Sequence, residues 1–137
     1  MKIATAARNA MCQAFTDLFD ASSNPAYLEI RAGTEPSHPG DMATGNLLAT
    51  IVLPQPAFGT AGTAGAGVNE ANAVDVVQGV GNGTAGYFRA YDGDDNVIED
   101  GTVSVTGGAG EAQLNTLTIS TGVDVALTSW SVTMPEA

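Results

Sequence analysis

Apolar side chains recur at helical spacing over the first twenty residues and alternate with polar ones along most of the remainder. Ala7, Met11, Phe15, Leu18 and Phe19, with Ala10 and Ala14 beside them, predict one helix from Thr5 to about Asp20. Thr5 is placed to cap it, and Ala21-Ser-Ser-Asn-Pro25 to end it. Tyr27-Leu-Glu-Ile-Arg-Ala32 alternates and predicts a strand stopped at Gly33. Leu47-Leu-Ala-Thr-Ile-Val-Leu53 is apolar almost throughout, the pattern of a strand buried on both faces, and Pro54 and Pro56 prevent its extension. Gly59 to Gly67, built of Gly, Ala and Thr, reads equally as a linker or as a strand of low specificity. Ala73-Val-Asp-Val-Val77 alternates weakly before another glycine-rich stop.

The strongest local signal is a hairpin. Tyr87, Arg89 and Tyr91 alternate with Phe88 and Ala90, the polar run Asp92 to Asn96 follows, and Val97, Ile98, Val103 and Val105 resume the apolar pattern. Asp92, Asp94 and Asn96 alternate as calcium ligands do, but the glycine follows the first Asp and no Glu closes a twelve-residue loop, so a solvated turn is the expectation. Farther on, Leu114 is out of phase with Leu117 and Ile119, which predicts a bend near Asn115. Val123, Val125 and Leu127 share one parity and Trp130, Val132 and Met134 the other, so a bulge or turn is expected between Leu127 and Trp130, with Trp130 in the core. About eight short strands after one helix predict a mainly β chain, an antiparallel β-sandwich or jelly-roll-like domain with one N-terminal α-helix. A single domain over 1–137 is expected, with the helix in 1–22 and the sandwich in 26–137.

Charge narrows the function classes. Fifteen acidic residues against four basic ones give a formal net charge of -11, and Lys2, Arg8, Arg31 and Arg89 are too scattered to form a phosphate-binding patch, so no nucleic-acid partner is expected. No stretch approaches the roughly 20 apolar residues of a membrane span, and Arg8, Asn9 and Gln13 interrupt the apolar run a signal peptide needs. Cys12 is the only cysteine and sits in the helical pattern as a small hydrophobe, far in sequence from the only histidine, His38. His38 with Glu35 and Asp41 offers one imidazole and two loop carboxylates, a poor metal set. The glycines match no phosphate loop, no nucleophile and base fall into a catalytic pattern, and neither an enzyme nor a cofactor is indicated.

The stretch Gly86-Tyr-Phe-Arg-Ala-Tyr-Asp-Gly-Asp-Asp-Asn-Val-Ile-Glu-Asp-Gly101 resembles a family of small bacteriophage and prophage virion proteins, in which an aromatic-Phe-Arg strand leads through an Asp-Gly turn into a second strand. Further blocks of that pattern follow the family's order: Thr5-Ala-Ala-Arg-Asn-Ala-Met11, Leu28-Glu-Ile-Arg-Ala-Gly-Thr-Glu-Pro36, Ala43-Thr-Gly-Asn-Leu-Leu-Ala49, Pro56-Ala-Phe58, Leu114-Asn115 and Val132-Thr-Met-Pro135. The resemblance implies a virion structural component. A capsid decoration or cement protein on the outside of the phage head is the expected role, with the major capsid protein as partner, sister copies forming a dimer or trimer, and host cytoplasm as the compartment before assembly. Met11, Phe15 and Phe19 of the helix and Pro36, His38 and Pro39 of the loop expected over Thr34 to Gly45, with its two prolines and two glycines, are the expected contact residues, with the hairpin turn facing outward. A tail, baseplate or fibre-associated protein shares this composition. A receptor- or carbohydrate-binding module would require Trp130, Tyr87 and Tyr91 exposed on one face.

Overall fold

A computed structural model describes residues 1–137. The chain is mainly β with one N-terminal helix, α1 (Thr5–Asp17), continued by a 3₁₀ turn over Leu18–Asp20. Ten strands follow: β1 (Tyr27–Ala32), β2 (Leu47–Val52), β3 (Val68–Glu70), β4 (Val77–Gln78), β5 (Gly83–Tyr91), β6 (Val97–Val105), β7 (Ala112–Leu114), β8 (Thr118–Ile119), β9 (Asp124–Val125) and β10 (Leu127–Thr133). The main sheet runs β2-β1-β5-β6-β7-β10-β3, β8 pairs β5 off this path, and β4 with β9 makes a small second sheet. The pairing is antiparallel except between β6 and β7, so the sheet is mixed where an antiparallel one was expected. The parallel pair arises because Thr106 to Glu111 folds back beneath β6 and re-enters alongside it, with Gly110 N–H bonded to Ser104 Oγ at 3.0 Å.

The sheet curls around an aromatic core. Three strand spacings separate β5 from β10, about 14 Å in a flat sheet, yet the rings of Phe88 and Trp130 have centroids 5.6 Å apart. Phe19 and Phe58 close on the same indole at 5.3 and 4.6 Å, edge to face, and Trp130 is only 1% exposed. Gly101, the cross-strand neighbour of Phe88, lets the Phe88 ring lie flat over β6, because a Cβ at 101 would overlap that ring.

The helix turns a different face to this core than its apolar spacing predicts. Its buried residues are Cys12, Thr16 and Phe19, whereas Met11 and Leu18 stay 43% and 49% exposed. Thr16 is buried because its hydroxyl donates to the Cys12 carbonyl at 3.0 Å and accepts from Asn69 Nδ2 at 2.9 Å, leaving neither group unpaired. Thr5 is the first helical residue and not the cap; Ala4 stands at that position and makes no side-chain bond to the helix. The Gly59 to Gly67 segment is a loop strapped to the helix, with Ala61 N–H donating to Gln13 Oε1 and Gly67 N–H to Asn9 Oδ1.

β2 is the terminal strand of the main sheet and not one covered on both faces throughout: Leu48, Ala49 and Ile51 are buried while Val52 is exposed. Its outer side is touched by Val80, whose N–H bonds the Leu48 carbonyl at 2.8 Å. The expected irregularities near Asn115 and between Leu127 and Trp130 are present. β7 ends at Leu114 and β8 begins at Thr118, and the β10 register shifts between Leu127 and Ser129.

Gly101→Ala is expected to destabilise the fold by about 1–3 kcal/mol, since the added methyl must displace the Phe88 ring from the core. A urea denaturation midpoint equal to that of the parent chain would contradict this packing.

Candidate functional site

The two faces of β5 divide the molecule. Phe88 and Ala90 point into the core, and Tyr87, Arg89 and Tyr91 point to the other side, in register with Arg31, Glu29 and Tyr27 of β1. This second face is polar and carries the best-defined cluster of the chain. Arg89 is 2% exposed, and its guanidinium donates from Nε and Nη2 to Asp100 Oδ1 and Oδ2 at 2.6 and 2.9 Å. Its remaining nitrogen, Nη1, donates to the Asp41 carbonyl at 2.7 Å. Asp100 is the direct cross-strand partner of Arg89, so hairpin register alone brings the pair together. The fork-to-fork geometry holds the guanidinium pKa above its ordinary value through the Asp100 hydrogen bonds, which outweigh the desolvation that opposes them.

The loop between β1 and β2 lies over this face and is tied to it. Besides the Arg89 to Asp41 bond, the Tyr87 hydroxyl accepts from Thr44 N–H at 2.9 Å and donates to the Thr44 carbonyl at 2.7 Å. The loop closes at Gly45, whose φ of +72° and contact with the Ala32 carbonyl admit no side chain. At its tip His38 and Pro39 are exposed, Pro36 is half-buried, and Met42 projects with 89% of its surface free. Asp41 accepts from His38 N–H and donates its own N–H to the His38 carbonyl, which makes a turn of the pair.

The structure divides the six expected contact residues. Met11, His38 and Pro39 are exposed, Phe15 and Pro36 are half-buried, and Phe19 is completely buried against Trp130 and Phe58, so Phe19 belongs to the core and contacts no partner. Helix and loop are reached through opposite faces of β5, so the two halves of the expected contact do not form one patch. The sequence places Tyr87 and Arg89 on one face of the hairpin but does not reveal their bonds to Asp100 and to the β1–β2 loop, and it gives Met42 no role. Arg89 lies five residues before Asp94, the middle of the turn, and Asp100 six after it, and the register shift between Ala90 and Tyr91 takes up the extra residue and brings the two into cross-strand pairing.

The hairpin turn does not stand free. Ser22 Oγ donates to Asp94 Oδ1 at 3.0 Å and the Tyr27 hydroxyl to Asp95 Oδ1 at 2.7 Å, which packs the turn against the segment leaving the helix. Tyr27 and Tyr91 stack at 4.9 Å, and burial together with Asp95 pushes the Tyr27 phenol pKa up. The Asp92 carboxylate accepts from the N–H groups of Asp94 and Asn96 and from Asn96 Nδ2; desolvation pushes its pKa up, and these bonds outweigh it and hold the group below the usual carboxylate range. Its oxygens are therefore committed to the turn. No three His, Cys, Asp or Glu side chains converge as a metal set.

Trp130 and Tyr87 are buried and Tyr91 is half-buried, so the exposed aromatic platform that a carbohydrate-binding module needs is not formed. Cys12 is buried, its thiol aimed at the Val132 carbonyl at 3.6 Å and its pKa raised by desolvation. Two open grooves remain. One, of about 430 Å³, runs beside β3 with Asn69, Glu70 and Asn72 along it; the other, of about 350 Å³, is mostly apolar and lies between Val52, Pro54, Val74 and Val77. Each has a single carboxylate in its lining, Glu70 in the first and Asp75 in the second.

On the core side of β6, Glu99 faces inward beside Ala90, with Oε1 sealed from solvent and without a partner. Burial, then the charges of Glu111 and Asp100, push its carboxyl up to about 8. The folded chain thus holds a proton that the unfolded chain releases near its ordinary value of 4.5. This contribution to stability is complete at pH below 4.5 and is lost as pH rises toward 8.

Two outcomes are expected from these sites. Asp100→Ala leaves a buried guanidinium unpaired and costs about 3–5 kcal/mol, more than the double variant Arg89→Met with Asp100→Leu, which removes both buried charges; denaturant titration of the two orders them. Glu99→Gln flattens the fall in Tm between pH 5 and 8 that the parent chain shows, and a parent profile already flat over that window would contradict the buried acid.

No family model, curated protein or solved structure matches the chain, so its function has to be read from its own residues.

Proposed function

We propose that this chain is a structural protein of a phage particle, a decoration or cement protein that lies on the outside of the head against the major capsid protein. The observation that carries the reading is the Gly33–Asn46 loop. Its backbone is anchored to a buried arginine and tyrosine, while Pro39 and Met42 stand exposed at its tip. A loop already held in one shape loses little entropy on docking, which suits a small apolar anchor meeting a partner surface. The resemblance of the ordered sequence blocks to small virion proteins supports the same reading, as does a net charge of -11, which keeps a chain made in many copies soluble before assembly. The role is structural: the protein binds the assembled lattice in preference to the free subunit and stabilises the shell by mass action. A tail, baseplate or fibre position is the second reading, using the same loop on a different partner.

Purified protein added to phage heads that lack it should co-sediment at a stoichiometry approaching that of the capsid protein. Met42→Asp should weaken binding at least about tenfold through loss of one apolar anchor, with thermal stability unchanged. Full binding by the Met42 variant would remove the loop from the contact. Binding to tails and not to heads would transfer the protein to the second reading.

A further inference from the structure

The two terminal strands of the main sheet are finished differently. β3 is closed along its outer side: Gly59 N–H donates to the Glu70 carbonyl at 3.0 Å and Asn72 N–H to the Ala57 carbonyl at 2.9 Å. β2 is closed only at its start, where Val80 N–H meets the Leu48 carbonyl. Leu53 N–H points inward to the Ala26 carbonyl, so strand alternation turns the N–H and C=O groups of Thr50 and Val52 outward. None of these groups has a hydrogen-bond partner within the chain. The edge is also unguarded, since Leu47–Val52 holds no charged residue and no proline.

This open edge runs into the apolar groove of about 350 Å³. Val52, Leu53 and Pro54 line it from the end of β2, with Ala73, Val74, Asp75 and Val77 from the segment that leads into β4. Ala73 to Val76 have the alternation of a strand in sequence, yet they lie outside every strand and make no backbone hydrogen bond. Free ladder positions select an extended backbone, and an adjoining groove selects its alternate apolar side chains. Asp75, exposed and paired with no cation, selects a basic residue among them. A second copy of this chain is a poor source of that residue. Its Arg31 and Arg89 are paired with Glu29 and Asp100, its Arg8 is bonded to the Met134 carbonyl, and each copy carries a net charge of -11.

We infer that the open edge of β2 and the groove beside it take up an extended segment of a different protein. That segment pairs with the backbone of Thr50 and Val52, lays alternate apolar side chains against Val52, Val74 and Val77, and sets a lysine or arginine against Asp75. The inference does not rest on the virion reading, because the site consists of backbone groups and a groove of this chain alone.

The probes are peptides of about eight residues in which valine alternates with threonine and lysine replaces each valine in turn. Added in excess to the isotope-labelled full chain, the best of them should slow hydrogen exchange at the Thr50 and Val52 amides at least about tenfold, with the β3 amides unchanged. Methylating alternate peptide N–H groups should weaken binding about tenfold. Glutamate in place of the lysine should weaken it about threefold, a preference that Asp75→Lys reverses. Val52→Lys, at a position already 53% exposed, should abolish binding with Tm unchanged. No binding by any of the peptides at millimolar concentration, indifference to backbone methylation, or full binding by the Val52→Lys variant would overturn the inference. Protection of the same two amides that grows with protein concentration and needs no peptide would assign the edge to a second copy and overturn the choice of a foreign strand.

Discussion

A guanidinium buried in the middle of a β-hairpin is the constraint from which the polar half of this structure follows. Arg89 is almost fully removed from water, and a charge in that position persists only with partners for its donors. Asp100 supplies two acceptors from the facing strand, which ties the hairpin to one register. The third acceptor comes from outside the hairpin. The Asp41 carbonyl provides it, and the β1–β2 loop is held over the sheet as a result. A long loop with two prolines, which composition alone would leave as a surface excursion, is thereby a part of the fold.

One residue away the chain faces a different environment. Phe88 reaches across the curled sheet to Trp130, and the core gathers there because Gly101 leaves room above β6. The helix contributes Phe19 to the same cluster and satisfies its own buried hydroxyl through Asn69. Strand alternation thus separates an aromatic core from a hydrogen-bonded polar face within a single nine-residue strand, β5. Each face then carries one exposed feature outward, the helix on the core side and the loop on the polar side.

Much of this was legible in the residues. The hairpin around Asp92 to Asn96 declares itself by alternation and turn chemistry, and the parity change ahead of Trp130 marks a real shift of register. The helix was legible as a helix but not in its orientation, because alanines on every side give a stripe no direction and the buried face is fixed by the polar pairing of Thr16 with Asn69. β3 is hidden because Val68-Asn-Glu70 follows a run of small residues and is held by tertiary pairing with β10. β2 reads as interior because its residues are apolar, yet apolar composition does not distinguish a central strand from a terminal one partly covered by a neighbouring segment. Of the candidate contacts, Phe19 was misplaced for the same reason as the helix face, and Met42 went unnoticed because a lone apolar residue in a loop has no periodic pattern to reveal it.

A small acidic domain with a pinned loop on one side and an apolar helix face on the other has two outward surfaces of different character. Under the proposed role, the pinned loop is the surface that meets the capsid lattice. The most direct test of that account is the number of copies per particle, measured by quantitative mass spectrometry of purified virions against the major capsid protein. Copies comparable in number to the capsid protein are the predicted result; absence from the particles would contradict the structural role altogether.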